Sequence, residues 1–151
     1  MPPPCEIWFY HLERTSLEQV LPELLEKTVS RGWRARVRSA DAGRIAALDA
    51  ALWTYRDDSF LPHGVIGEPF TDRQPILLGE GSDNTNGAQA LFLLDGDPGD
   101  LAGYERCVVV FDGRDEPALQ AARALWSRCR KAGHPVTYWR QGESRGWEKQ
   151  S

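Results

Sequence analysis

Asp57, Asp58 and His63 are the residues whose types could hold a metal: two carboxylates and an imidazole in one short stretch. Carboxylate with imidazole is acceptable ligation for several metals. A small α/β metal-dependent enzyme built on these three side chains is therefore one reading of the sequence. The competing reading is surface acids beside a hydrogen-bonding histidine, because two ligand types often fall close together by chance. Cys5, Cys107 and Cys129 form no CxxC pair and no metal-ligand spacing. An odd, sparse count points to free thiols in a reducing cytosol. Cys107 lies inside the apolar run CVVVF and reads as a small core residue rather than a nucleophile. His11 and His134 have no evident triad partners. No catalytic residue, metal or cofactor is expected.

A nucleotide site is not expected either. The connection after the first strand, HLERTSLE, has no glycine, and GxxxxGK[ST] is absent. Backbone cannot approach a pyrophosphate closely without glycines there. GEGSDNTNG has glycines but joins two strands, so no helix N-terminus would cradle a phosphate.

Binding chemistry is better supplied near the C-terminus. Between Pro117 and Gln141 stand Arg123, Arg128, Arg130, Lys131 and Arg140, with no Asp or Glu, in a chain of formal net charge −4. At helical spacing Ala118, Ala122, Leu125 and Cys129 share a core face. Arg123, Trp126, Ser127 and Arg130 follow one another at i, i+3, i+4 and i+7 on the outward side. A solvated basic face, with Trp126 lying against the surface or stacked on an arginine, explains the charges. It explains less well the large aromatic and the missing acids. A pocket for an acidic peptide ending in an apolar side chain and a free carboxylate explains both, since arginine pairs bidentately with carboxylate. Single-stranded nucleic acid stacking on Trp126 is the rival. The acidity of the whole chain counts against it, and direct nucleic-acid binding is not expected.

A second surface lies in Leu52–Gly64, LWTYRDDSFLPHG, where Trp53, Tyr55 and Phe60 crowd beside Pro62 and His63. Either these aromatics complete the core or they form a docking surface, where Trp, Tyr and Phe are enriched.

The elements that must position these groups follow from periodicity. Glu6–Leu12 reads as a strand. Thr15 or Ser16 caps an amphipathic helix through Val29, with Glu18 and Gln19 at capping-box positions. Pro22 predicts a kink or a delayed start, and Gly32 ends the helix. Arg34–Ser39 is a weakly alternating strand. Asp41 caps a helix to Leu52 with Ile45, Leu48 and Leu52 on one face. Ile76–Leu78, Ala90–Leu94 and Cys107–Phe111 are strands, the last one central. A long helix runs from Pro117, with Asp115 or Glu116 as cap, to about Lys131, where Gly133 stops it. Val136–Trp139 is the last strand. Arg140–Ser151 is a polar tail expected to fray, though Trp147 could tuck back. The alternation predicts a single α/β domain over 1–151, with a largely parallel mixed sheet flanked by helices. At 151 residues, 41% hydrophobic and 26% charged, the chain has an ordinary globular composition. It shows no signal peptide and no apolar run long enough to span a membrane, so a cytoplasmic protein is expected.

The same blocks carry a resemblance. Leu48-Asp49, Leu52-Trp53-Thr54 and Asp58-Ser59-Phe60-Leu61-Pro62-His63 occur in one order with Phe9-Tyr10-His11-Leu12, Gly32-Trp33-Arg34, Gln74-Pro75-Ile76-Leu77-Leu78 and Phe111-Asp112-Gly113. In order and spacing they resemble the chi subunit of bacterial DNA polymerase III holoenzyme, the accessory protein beside the clamp loader. The resemblance implies a Rossmann-like fold without catalysis. It implies that single-stranded DNA-binding protein docks its acidic C-terminal tail on Arg123, Trp126, Ser127 and Arg130, with Ser127 a departure, since relatives can carry a basic residue there. It also implies that the psi subunit or the clamp loader docks on Trp53, Phe60, Pro62 and His63.

Overall fold

Strand β1, Glu6–Leu12, is the strand the sequence predicts, and it pairs on both sides in parallel: Ile7 with Cys107 and with Val136. The computed structural model describes residues 5–54, 62–69, 71–81, 84–99, 101, 103–142 and 146–150. Helix α1 (Leu17–Ser30) follows, then β2 (Ala35–Arg38), α2 (Ala42–Trp53), β3 (His63–Val65) and a single 3-10 turn at Thr71–Arg73. Strands β4 (Ile76–Gly79), β5 (Ala90–Leu93) and β6 (Arg106–Asp112), helix α3 (Glu116–Lys131) and strands β7 (Val136–Gln141) and β8 (Trp147–Lys149) complete it.

The strands form one sheet in the order β3-β4-β2-β5-β6-β1-β7-β8. Every pairing is parallel except β7 with β8. The fold is the expected α/β arrangement of a largely parallel mixed sheet with flanking helices. Successive residues of a strand face opposite sides, and two cores result. Tyr10, Leu12, Val37, Ile76, Leu78, Phe92, Val108 and Val110 meet Leu21, Leu24 and Leu25 of α1 and Ile45, Leu48 and Leu52 of α2. On the other side Ile7, Phe9, Leu91, Leu93, Cys107, Val109 and Phe111 meet Ala122, Leu125 and Cys129 of α3. Strand β6 is covered on both faces, which is why CVVVF is continuously apolar. Each fully buried Leu, Val or Phe contributes roughly 1.5–3 kcal/mol.

The helix starts follow their caps. The Ser16 amide donates to Gln19 Oε1 at 2.9 Å, and Asp41 Oδ1 accepts from the Arg44 amide at 3.1 Å. Because Ser16 starts α1, the helix is not delayed to Pro22, which lies buried within it.

Three expectations are corrected. Strand β2 does not alternate between core and solvent, because all its residues are buried. Arg36 is in register with Leu91, on the α3 side of the sheet, and is 0% exposed. Helix α3 lies over β6, β1 and β7. Beyond its reach the Arg36 guanidinium covers the sheet, donating to the carbonyls of Val37 (2.6 Å), Gly79 (3.0 Å), Glu80 (2.9 Å) and Gly81 (3.2 Å). Second, a short strand β3 forms within what reads as loop. Third, within the tail expected to fray, residues 147–149 form β8, with Trp147 tucked back as the sequence allowed. They pair antiparallel with β7, and the Trp147 ring meets Tyr10 edge-on at 4.8 Å, so aromatic burial holds the polar segment in place.

Candidate functional site

Helix α3 is built to show a basic face. Asp115 is its N-cap, and Pro117 stands in the first turn, where its missing amide hydrogen costs nothing. Ala122, Leu125 and Cys129 are buried on the sheet, so Arg123, Ser127 and Arg130 must point outward, and all three are exposed. Arg128, Arg130 and Lys131 fall in the last turn, where the helix dipole favours cations by about 0.3–1 kcal/mol. That effect does not reach Arg123, a mid-helix residue with no ion-pair partner among the described residues. Arg128 does have one: its Nη1 lies 2.7 Å from Asp97 Oδ2. The missing acids expected from the sequence are thus partly supplied from the loop after β5. Trp126 is half-buried, packed on the edge of the α3-side core, and the Arg130 guanidinium stands 4.9 Å from its ring centre.

Strand β7 borders this face, and here the structure adds residues that the sequence did not single out. Tyr138 stacks on Phe9 with ring centres 6.0 Å apart. Its hydroxyl lies 2.6 Å from His11 Nδ1. His11 Nε2 is 3.3 Å from Glu13 Oε1, which also accepts from Arg140 Nε at 2.8 Å. Burial is the main cause that holds His11 below its ordinary value; the charges of Arg140 and Arg123 add to it, and Glu13 opposes it. Burial pushes the Tyr138 hydroxyl up, opposed by Arg123 and Arg140. Arg123 therefore acts electrostatically on both members of the pair. The partnership is invisible in sequence because it depends on the register of β1 with β7.

At the far end of the sheet, Trp53 closes α2 and is 60% exposed. Its ring lies 4.7 Å from that of His63, which is buried. His63 Nε2 is 2.8 Å from Asp49 Oδ1, so the imidazole fastens β3 to α2. Pro62 is half-buried and Ile66 is 39% exposed. Of the expected docking residues, Trp53 is open to solvent, His63 is buried against its ring, Pro62 is half-buried, and Phe60 lies outside the described residues. Asp57 and Asp58, the candidate metal ligands, also lie outside them. Among the described residues no group of three His, Cys, Asp or Glu side chains is placed to share a metal.

The cysteines are buried and unpaired. Burial lifts the Cys5 thiol to about 11 and Cys107 further still, which keeps both protonated and poorly nucleophilic at neutral pH. His134 Nδ1 meets the Cys5 carbonyl at 2.9 Å. A crevice of about 400 Å³ opens at the carboxyl ends of β1, β5 and β6, the usual ligand position of such sheets. Its rim carries Glu18, Asp95, Asp112 and Asp115, while Arg44 and Arg114 there are paired with Asp95 and Asp112. A phosphate would face those carboxylates, which agrees with the missing glycine signature. Among the described residues no helix is long and apolar enough to cross a membrane.

A family model described as "DNA polymerase III chi subunit, HolC" matches residues 5–137. The chain is similar to the DNA polymerase III subunit chi of Pseudomonas aeruginosa, with 31% identity over 120 residues, 78% of this chain and 82% of that protein. It is similar also to the probable DNA polymerase III subunit chi of Rickettsia prowazekii, with 28% identity over 93 residues, 62% of this chain and 55% of that one.

Proposed function

The chain belongs to the DNA polymerase III chi subunit family, and from that premise we propose that it is a non-catalytic adaptor with two binding surfaces. It is a replication accessory subunit by family. Its α3 face, with Arg123, Trp126, Ser127 and Arg130, receives the acidic C-terminal tail of single-stranded DNA-binding protein. The surface around Trp53, Phe60, Pro62 and His63 docks the psi subunit or the clamp loader. The protein thereby couples the clamp loader to coated single-stranded DNA.

The observation that carries this reading is Arg123: an exposed cation in mid-helix, without an ion-pair partner among the described residues, beside the half-buried ring of Trp126. A tail that ends in an apolar residue and a carboxylate would satisfy both groups at once. The test is a calorimetric titration with an acidic tail peptide as the free acid and as the C-terminal amide. The free acid should bind distinctly more tightly. Equal binding of the two forms would put the site elsewhere.

A further inference from the structure

His11 borders the basic face of α3, with Nδ1 at hydrogen-bond distance from a hydroxyl and Nε2 facing a carboxylate. Nε2 looks at the Glu13 carboxylate from 3.3 Å and Nδ1 at the Tyr138 hydroxyl from 2.6 Å. A carboxylate only accepts, so the neutral ring keeps its proton on Nε2. Nδ1 is then an acceptor, and Tyr138 is the donor. The hydroxyl proton is turned inward, and an anion arriving at Arg123 would meet oxygen lone pairs. Protonation of His11 reverses the bond. Nδ1–H donates to the Tyr138 oxygen, and the hydroxyl proton is released to turn toward the anion.

The charged groups around the ring come from four directions. Glu13 follows β1, Asp112 ends β6, Arg140 lies on β7 and Arg123 on α3. Three of them are already committed: Arg140 and Glu13 to each other, and Asp112 to Arg114 at 2.8 Å. Arg123 is the group left to meet a ligand. A carboxylate bound there offsets the Arg123 charge that disfavours the imidazolium.

We propose that Tyr138 and His11 complete the carboxylate-receiving end of the α3 surface, with Tyr138 donating its hydroxyl proton to the peptide carboxylate at Arg123 while His11 takes one proton from solvent. The inference rests on the tail-peptide reading and names the residues that finish that site. The proton balance is simple: one proton enters at Nδ1, the hydroxyl proton stays on Tyr138 and changes direction, and no covalent bond other than N–H forms.

The probe is an aspartate-rich synthetic peptide ending in a phenylalanine carboxylate, titrated into the full chain by calorimetry in two buffers of different ionisation enthalpy. The His11 ring is followed by NMR in the free and saturated protein. Binding should take up a fraction of a proton, and His11 should titrate at higher pH with peptide bound. Affinity should be several-fold higher at about pH 6 than at about pH 8. Tyr138→Phe keeps the ring and removes the hydroxyl; it should bind several-fold more weakly at the lower pH and lose most of the pH dependence. Peptide that binds without proton uptake and without moving the His11 titration overturns this inference and leaves the tail site standing. No binding at any pH overturns both. Should Tyr138→Phe not fold, the wild-type proton uptake and the His11 titration decide alone.

Discussion

Gly113 and His11 share a space that admits only one of them a side chain: a Cβ on Gly113 would stand 1.8 Å from His11 Nε2. The glycine of the Phe111-Asp112-Gly113 block is there for close approach, and its missing side chain gives His11 its position beneath Tyr138.

Gly113→Ala is therefore expected to displace the imidazole and break its bond to Tyr138. Overpacking of this kind costs about 1–3 kcal/mol. Urea denaturation reads the loss and the His11 ring resonances read the movement. An alanine variant of wild-type stability with unmoved His11 signals would mean that the loop yields instead.

The pH dependence of stability has a sign fixed by the same residue. Burial lowers the folded-state value of His11 below its ordinary 6.5. The unfolded chain then binds a proton more readily than the folded one. The contribution of neutral His11 is present in full above the unfolded value and is lost as pH falls through the folded value. Stability should drop on acidification from neutral, and His11→Gln should flatten that part of the curve. An identical profile in wild type and variant refutes the assignment.

Arg36→Met should destabilise far more than a surface arginine would. It removes a charged donor from the buried carbonyls of Val37 and Gly79 and from the more exposed carbonyls of Glu80 and Gly81, and a hydrogen bond to a charged group is worth about 1.5–3 kcal/mol. Lysine, a single point donor, should restore only part of this. Chemical denaturation of the two variants is the measurement; a methionine variant as stable as wild type would show that the guanidinium contributes nothing net.

On the tail site, Arg123→Glu should weaken peptide binding by roughly 2–5 kcal/mol, much of it from stranding the peptide carboxylate. Binding should weaken as salt rises. Trp126→Ala should lose apolar contact with much less change in the salt slope. Lys27→Glu, on α1 across the sheet, is the control and should bind like wild type. Arg145, a candidate control on sequence grounds, lies outside the described residues. An Arg123→Glu variant that binds normally would move the site off α3.

Trp53→Ala should separate docking from folding. The ring is 60% exposed, so stability should change by less than about 1 kcal/mol while assembly with psi or the clamp loader loses at least about 2 kcal/mol. Unfolding of the variant would instead make the Trp53–His63 contact part of the core.

The sequence and the structure agree most where a pattern repeats within one element. Ser16 with Gln19, Asp41 before Ile45, Leu48 and Leu52, and the apolar run of β6 each declare themselves locally. Strands β3 and β8 do not, because three residues are too few to display a period. Arg36 misleads for a different reason: a charge in a strand reads as solvent-facing, and the partners that reverse this are backbone carbonyls, which no residue type announces. The candidate site divides in the same way. Arg123, Trp126 and Arg130 share a helix face that can be drawn from spacing alone. Tyr138, His11 and Gly113 meet only once β1 lies between β6 and β7.

That placement of β1 also orders events during synthesis. Its two neighbours, β6 and β7, come from the last third of the chain, whereas α1, β2 and α2 follow it directly. As the chain leaves the ribosome, EIWFYHL stays without β6 until residues beyond 112 have emerged and without β7 until residues beyond 141 have. Sheets closed by such distant pairings form slowly, and an apolar strand waiting unpaired is open to aggregation. Truncation before β7 should therefore yield an insoluble product rather than a smaller folded one, and ribosome-associated chaperones should find their main hold on the first dozen residues.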